Sequence, residues 1–174
     1  MNRPLKLNLG SGPDYKKGYI NIDLDKTYKA DLYHDFLKGL PYKKDSVDEI
    51  YCKNLFEHVP NPLNFLLEMK RVLKKSGKLI IITSNASYII YHFPRKKAFH
   101  DSYNLGRTVD DQHYFLFQKG HLEAFTKKAG LKLIKLEYFI SNLPETRDYK
   151  FQKFLSFFVG KKFGYSDYMW ILEK

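Results

Sequence analysis

The feature that most constrains the fold is an almost wholly apolar run at residues 78–83 (KLIIIT). A strand that is apolar on both faces is typical of the centre of a parallel sheet, where other elements cover both sides. Shorter runs bounded by turn residues predict six further strands, at 5–9, 19–23, 31–34, 47–53, 131–140 and 167–173.

Helical patterns lie between several of these strands. One helix is predicted to begin at Asn61, with Pro62 in its first turn, and to end at Ser76. Two more are predicted near residues 119–129 and 148–159, the second rich in aromatic residues. Strands that alternate with helices indicate an α/β fold with a mainly parallel sheet.

The length of 174 residues predicts a single domain, residues 1–174, large enough to bury a core. The single cysteine, Cys52, excludes an internal disulfide and favours a cytoplasmic location. No run of about 18 apolar residues predicts a membrane-spanning helix, so we expect no membrane partner.

The formal charge of +11 makes nucleic acid a possible partner. The basic residues are spread evenly along the chain, and 25 of the 30 are lysines rather than arginines. Specific contacts to phosphates and bases favour the arginine fork, so the charge is also consistent with a plain solvated surface.

The first two predicted strands are joined through Gly10, Ser11 and Gly12, and the second ends at Asp23. Glycines let a backbone approach a ligand closely, and a carboxylate at that strand end can accept both hydroxyls of a ribose. A dinucleotide fingerprint needs a third glycine, where this chain has Tyr15. The pattern is compatible with a nucleoside that lacks phosphates, or with a plain glycine turn.

Three segments in order, residues 7–25, 40–59 and 65–85, resemble successive motifs of the class I S-adenosylmethionine-dependent methyltransferases of the small type-11 group. Residues 113–133 resemble the later helix–strand unit of that group. The resemblance implies a Rossmann-like methyltransferase fold, a seven-strand sheet with an antiparallel last strand, and S-adenosylmethionine as the cofactor.

The resemblance also implies a set of cofactor-binding residues. The glycine turn would face the methionine part, Asp23 the ribose and Leu24 the adenine, with Asp35 and Phe36 at the adenine edge. Asn54 would lie by the amino acid end or the sulfonium. The implied set is Gly10, Ser11, Gly12, Asp23, Leu24, Asp35, Phe36 and Asn54. Asn8 stands where the group often has an acid, and Asp25 is a second candidate for the role of Asp23.

Two connections are too short for the helices that usually cover one face of this sheet. Residues 10–18 and 24–30 span nine and seven positions, whereas a helical crossover takes about ten to twelve or more. We therefore expect helices to be trimmed from one face. An apolar face would then need cover, either from the aromatic segment 149–158 or from a second copy, so a homo-oligomer is expected.

Catalytic candidates lie on the acceptor side. A general base is served best by His58, after the fourth strand, or by His113, before the later helix. The insertion at residues 86–118 is expected to form a lid or substrate loop, because it is long, irregular and aromatic. It also carries Arg95, Lys96, Lys97 and Arg107, as well as His92 and His100. No Cys/His spacing predicts a metal site.

The sequence therefore supports S-adenosylmethionine-dependent methyl transfer to a small-molecule acceptor as the first hypothesis. An RNA-directed methyltransferase is the second, and a cofactor-binding interaction module without catalysis is the third.

Overall fold

The computed structural model describes residues 3–89, 114–140 and 146–174. Seven strands form one sheet in the order β3-β2-β1-β4-β5-β7-β6. They are β1 (Lys6–Leu9), β2 (Ile20–Asp23), β3 (Leu32–Tyr33), β4 (Val47–Lys53), β5 (Leu73–Ser84), β6 (Lys132–Phe139) and β7 (Asp167–Glu173). The pairs among β1–β5 are parallel, and β7 runs antiparallel to both β5 and β6. The prediction of a Rossmann-like methyltransferase sheet with an antiparallel last strand is confirmed.

Three α-helices are described: α1 (Pro62–Val72), α2 (Lys119–Ala129) and α3 (Arg147–Gly164). The Asn61 side chain caps α1 by accepting a hydrogen bond from the backbone of Asn64 at 3.2 Å. The prediction that this helix ends at Ser76 is wrong. The helix ends at Val72 and the chain continues directly into β5, where Ser76 has a φ of 61°.

One face of the sheet is apolar and covered. Leu7, Ile50 and Leu79 are buried on it in register with one another, and α1 and α2 pack over them in the same core. At its far side, the Trp170 indole donates a hydrogen bond to the Thr126 hydroxyl of α2 at 3.1 Å. The helices that remain in this trimmed fold are thus placed where the sheet buries its largest side chains.

The opposite face carries a row of alternating charges across five strands. Lys6, Glu49, Lys78, Glu173 and Lys132 are successive register partners. The row includes ion pairs of 3.3 Å between Lys6 and Glu49 and of 3.1 Å between Lys132 and Glu173. Opposite charges at paired positions stabilise neighbouring strands without burial. Because this end of the opposite face is charged rather than apolar, it needs no helix to cover it.

The prediction that the aromatic segment 149–158 covers the sheet is wrong for its phenylalanines. Its phenylalanines Phe151, Phe154, Phe157 and Phe158 are exposed, so they do not shield the sheet. Self-association of the chain stays a prediction. Within the described ranges, no helix combines the length and apolar character needed to cross a bilayer.

Candidate functional site

The turn after β1 lies at the carboxyl edge of the sheet. Gly10 and Gly12 have φ angles of 61° and 46°, in the left-handed region that favours glycine. A Cβ at Gly10 would lie 3.0 Å from the Leu55 side chain, and the Ser11 N–H donates to the Ile22 carbonyl at 3.2 Å. The turn is therefore held between the end of β2 and the residues that follow β4.

The buried carboxylate of Asp23 closes this turn. Its Oδ2 accepts the Gly12 N–H at 2.6 Å, and its Oδ1 accepts the Asp25 N–H at 2.9 Å. Each carboxylate oxygen has a second lone pair for a ligand hydroxyl. Asp25 is exposed, and its carboxylate accepts the N–H of Thr27 at 2.8 Å. The geometry thus sets Asp23, rather than Asp25, against the glycine turn.

Ser11 has an unusual hydroxyl. The residue is 2% exposed, and its Oγ is the one buried side-chain oxygen or nitrogen without a hydrogen-bond partner in the described part of the chain. Such a group costs about 1–3 kcal/mol unless something satisfies it. A Cβ at neighbouring Gly12 would meet nothing within 4 Å. A hydroxyl in need of a partner beside open space fits a polar ligand at this turn.

Side-chain amides hold the connection between β1 and β2, which is too short for a helix. The Asn8 amide donates to the carbonyl of Asp14 and to the side-chain oxygen of Asn21, both at 2.9 Å. The Asn21 side-chain oxygen also accepts the Lys16 N–H at 2.7 Å. On its outer side, the Asp31 carboxylate accepts the Asn21 N–H and the Tyr15 hydroxyl, each at 2.7 Å. The sequence motifs did not identify this network, although an Asn at register-paired positions of both strands was the available signal.

The residues assigned to the adenine lie beside Asp23, after β3. The His34 N–H donates to the Asp23 carbonyl at 2.9 Å, which places Asp35 next to the end of β2. Asp35 caps a short 3₁₀ helix, Phe36–Lys38, by accepting the Leu37 N–H at 3.0 Å. The adjoining Phe36 is half-buried and packs on the core, whereas Leu24 is exposed.

Asn54 ends β4 at the same edge. It has a left-handed φ of 52°, and its N–H donates to the Ile82 carbonyl at 2.9 Å. Its neighbour Leu55 is the residue that lies against Gly10. The fold therefore brings Asn54, the glycine turn and Asp23 to one edge, as the resemblance implies.

A buried carboxylate that the sequence motifs missed lies on the acceptor side. Glu57 belongs to a second 3₁₀ helix, Phe56–His58, and accepts the Thr83 hydroxyl at 2.8 Å and the Ser84 hydroxyl at 3.1 Å. Burial raises the pKa of Glu57, against the lowering effect of these hydrogen bonds. Its backbone carbonyl accepts the Tyr114 N–H at 2.8 Å. An acid inside an apolar stretch was the only sequence signal for it.

Of the two candidate bases, the structure describes His58 but not His113. His58 is half-buried at the end of the same 3₁₀ helix as Glu57. His113 lies outside the described residues, as do His92, His100, Arg95, Lys96, Lys97 and Arg107. His121 is exposed and caps α2, where its Nδ1 accepts the Gln118 N–H at 3.3 Å. Burial raises the pKa of Cys52, which disfavours a nucleophilic thiolate.

The acceptor side continues from β5 to α3. The Asn85 amide donates to the carbonyls of Lys162 and Tyr165, both at 2.8 Å, which fixes the end of α3 against the end of β5. An open cleft of about 460 Å³ lies there, with Ser87 on one wall and Val159 and Phe163 on the other. Within the described ranges, no group of three His, Cys, Asp or Glu side chains is placed to hold a metal ion.

Comparison with known proteins links part of the chain to one family. Residues 12–81 match the methyltransferase domain family. An uncharacterised protein of Methanocaldococcus jannaschii is 35% identical over 98 residues, which make up 50% of this chain and 41% of that protein. The chain thus spans less than half the length of this curated relative.

Solved structures share the fold at low identity. A chain from the complex between the Haloferax volcanii Trm112 methyltransferase activator and a methyltransferase aligns with a TM-score of 0.67 and 17% identity, covering 99% of this chain and 83% of that one. A SAM-dependent methyltransferase of Archaeoglobus fulgidus aligns with a TM-score of 0.65 and 15% identity, covering 98% and 86%. Residues 12–81 thus resemble the methyltransferase domain family, and the strand order places the whole chain in the Rossmann-like methyltransferase fold that these structures share.

Proposed function

We propose that the chain binds S-adenosylmethionine at the glycine-turn edge and transfers its methyl group to a small-molecule acceptor. The observation that carries this proposal is the buried Asp23 carboxylate, which is closed onto Gly12 and has lone pairs left for ribose hydroxyls. The family match and the strand order support the same reading.

In this proposal each residue at the edge has a defined task. Asp23 holds the ribose, and the Ser11 hydroxyl supplies a polar contact that no described protein group satisfies. The second carboxylate oxygen of Asp35, which also pairs with Lys38 at 3.5 Å, faces the proposed adenine edge in this scheme, and exposed Leu24 offers an apolar surface to the ring. Asn54 is placed for the amino acid end, beside the turn that Gly10 makes.

When bound, S-adenosylmethionine supplies a methyl group on a sulfonium, which already carries a good leaving group. The chain's own task is then to bring an acceptor into line and to exclude water. Asn54 and His58 lie at the end of β4, on the acceptor side of the edge. His58 is placed there to take a proton from an oxygen or nitrogen acceptor, and His113 is the second candidate.

Glu57 is a positioning residue in this scheme. It is buried, so it holds the ends of β4 and β5 together through Thr83 and Ser84 rather than contacting an acceptor. Its carbonyl also fixes the chain at Tyr114, where the described structure resumes within the segment 86–118 that is expected to form a lid.

Calorimetry with S-adenosylmethionine tests the cofactor site. Asp23→Ala is expected to weaken binding by about 100-fold or more, because a buried carboxylate that accepts two hydroxyls is lost. The matched variant Asp25→Ala removes an exposed carboxylate two residues away and is expected to change the dissociation constant by less than about threefold. Equal affinities for wild type and Asp23→Ala would show that the site is assigned wrongly.

Formation of S-adenosylhomocysteine separates the three functional hypotheses. Product with a panel of small-molecule acceptors supports the proposal, and product with RNA alone supports the RNA-directed alternative. Cofactor binding without product in either panel points to the non-catalytic interaction module.

A further inference from the structure

Helix α3 exposes apolar side chains that an ordinary surface helix would turn to the core. Such a helix turns its apolar stripe to the core and its charges to water. In α3 the residues Phe151, Phe154, Phe157 and Phe158 are instead 44–85% exposed. The buried positions of the helix are Gln152 and Gly164, and the Gln152 side-chain oxygen accepts the Ser166 N–H at 3.0 Å.

These four exposed phenylalanines, which we call the aromatic ridge, lie on neighbouring turns of α3. Phe151, Phe154 and Phe158 follow the spacing of three and four residues that aligns side chains along one side of a helix. Phe157 and Phe158 are in edge contact with ring centroids 5.3 Å apart, and Phe154 and Phe158 are 5.0 Å apart. At roughly 200 Å² for each ring, the ridge exposes several hundred Å² of aromatic surface. A patch of that size on a water-soluble chain marks an interaction site.

Basic residues border the ridge. Arg147, Lys150 and Lys153 are exposed on the same helical turns as the phenylalanines. Lys161 and Lys162 are exposed beyond a break in the helix at Gly160, and Asp148 is the only acid in Arg147–Gly164. The contacts of Lys153 with Tyr165 and Tyr149 raise its pKa, so its positive charge is maintained. The whole chain has the same sign, with a formal charge of +11.

We propose that α3 docks on the surface of an anionic lipid bilayer, with the aromatic ridge inserted at the headgroup boundary and the basic residues on lipid phosphates. Exposed aromatic rings flanked by lysines on a helix that does not span the membrane are the recognised chemistry of interfacial binding. The proposal is independent of methyl transfer, and it departs from the expectation that the chain has no membrane partner.

The charge pattern argues against a second copy as the occupant of the ridge. A symmetric dimer through α3 would bring the same basic residues of two helices together, and only Asp148 on each helix could offset them. RNA would satisfy the charges, but interfaces with nucleic acid are more polar than a surface of exposed phenyl rings. An anionic bilayer satisfies both the apolar and the charged part of this surface.

Docking in this orientation has a consequence for the acceptor side. Val159, Lys162 and Phe163 of α3 line the cleft of about 460 Å³ that opens next to Ser87 at the end of β5. A bilayer bound through α3 would therefore lie close to the edge of the sheet where the acceptor is expected.

Co-sedimentation with vesicles tests the proposal. The full chain is expected to pellet with phosphatidylcholine vesicles that contain phosphatidylserine, and at least about tenfold less with phosphatidylcholine alone. The triple variant Phe154→Gln, Phe157→Gln, Phe158→Gln keeps good helix formers at exposed positions and should retain the unfolding midpoint. We expect it to lose binding by about tenfold or more.

Matched controls distinguish binding by the aromatic ridge from nonspecific binding by other apolar or basic surface residues. Leu67→Gln with Ile134→Gln removes exposed apolar residues elsewhere, and Lys127→Glu with Lys128→Glu reverses two exposed charges on α2. Both are expected to bind within about twofold of wild type, whereas Lys150→Glu with Lys153→Glu should bind about tenfold less. Three results would overturn the proposal: vesicle binding unaffected by the triple variant, a wild-type dimer that the triple variant converts to a monomer in sedimentation, or RNA binding without vesicle binding.

Discussion

The two halves of the carboxyl edge are built from differently distributed parts of the chain. The cofactor half is made by Gly10, Ser11, Gly12 and Asp23, which lie within fourteen consecutive positions. The acceptor half joins Glu57 to Thr83, Ser84 and the backbone of Tyr114, from three separate segments. One half is encoded locally, and the other exists only when distant strands come together.

The halves also differ in how their polar groups are satisfied. In the acceptor half, the buried Glu57 carboxylate already accepts two hydroxyls from β5. In the cofactor half, the Ser11 hydroxyl has no partner in the described part of the chain, and Asp23 has lone pairs to spare. Under the proposed function, we expect the acceptor half to contribute mainly to stability and the cofactor half mainly to binding, and substitutions can separate the two.

The largest effect is expected for Glu57→Ala. Losing this buried carboxylate leaves two hydroxyls without their acceptor and opens a cavity, so the free energy of unfolding should fall by about 3 kcal/mol. Denaturant unfolding measures it. The matched control Glu137→Ala removes a partly exposed carboxylate paired with Lys135 at 2.9 Å, and should cost less than about 1 kcal/mol. A loss below that control value for Glu57→Ala would mean that the acceptor half is not held by this residue.

The pH dependence of stability is expected to change with Glu57→Gln. Burial raises the pKa of Glu57 in the folded state, so the folded chain keeps a proton that the unfolded chain releases. Its contribution is present in full below the ordinary carboxyl range and is lost as the pH rises through the raised pKa. Wild type should therefore lose stability relative to Glu57→Gln as the pH rises.

Denaturant unfolding at a series of pH values from about 5 to about 8 measures that difference. The variant His58→Gln is the control for the neighbouring imidazole, whose charge acts on the Glu57 carboxyl. Parallel profiles for wild type and Glu57→Gln would show that this carboxyl is ionised throughout the interval.

The sequence predicted the sheet and the glycine turn after β1 because both follow from short-range patterns, whereas the assignment of that turn to a cofactor stays a prediction. The apolar run of β5 and the glycines before β2 carry their structural meaning within a few residues, independently of tertiary contacts. Glu57 could not be found in this way, because its role depends on hydroxyls that lie more than twenty positions away. The prediction that the aromatic segment 149–158 covers the sheet was wrong for a related reason. Hydrophobic content predicts burial on average, but it does not say which side of α3 turns to the core.

A smaller effect, confined to the cofactor half, is expected for Ser11→Ala. Because the hydroxyl has no described protein partner, its removal should leave the unfolding midpoint unchanged or slightly raised. If the hydroxyl contacts S-adenosylmethionine, the dissociation constant should rise about tenfold, equivalent to about 1.4 kcal/mol. Calorimetry measures it, and Ser46→Ala, at a half-buried serine just before β4, should leave binding unaltered. A destabilised Ser11→Ala chain with normal binding would give Ser11 the same structural role as Glu57.

The smallest effect is expected for Asp31→Asn, at the outer end of the network that ties the glycine-turn loop. Hydrogen bonds from Asn21 and Tyr15 hold the pKa of Asp31 below its ordinary value. Such a carboxylate stabilises the folded state above the ordinary range and loses that contribution as the pH falls through the lowered pKa. Because Asp31 is exposed and screened by solvent, the cost at neutral pH should stay below about 1 kcal/mol.

Acid unfolding of three proteins separates the parts of this network. Asp31→Asn should flatten the acid limb of the stability profile, and Tyr15→Phe, which removes one of the three donors, should lie between it and wild type. An acid limb that is identical in all three would mean that the buried Asn8 and Asn21 amides alone hold the loop. The connection between β1 and β2 would then be stabilised by buried side chains of the sheet, as Glu57 stabilises the acceptor half. The two halves would differ only in whether short-range sequence patterns reveal the stabilising residues.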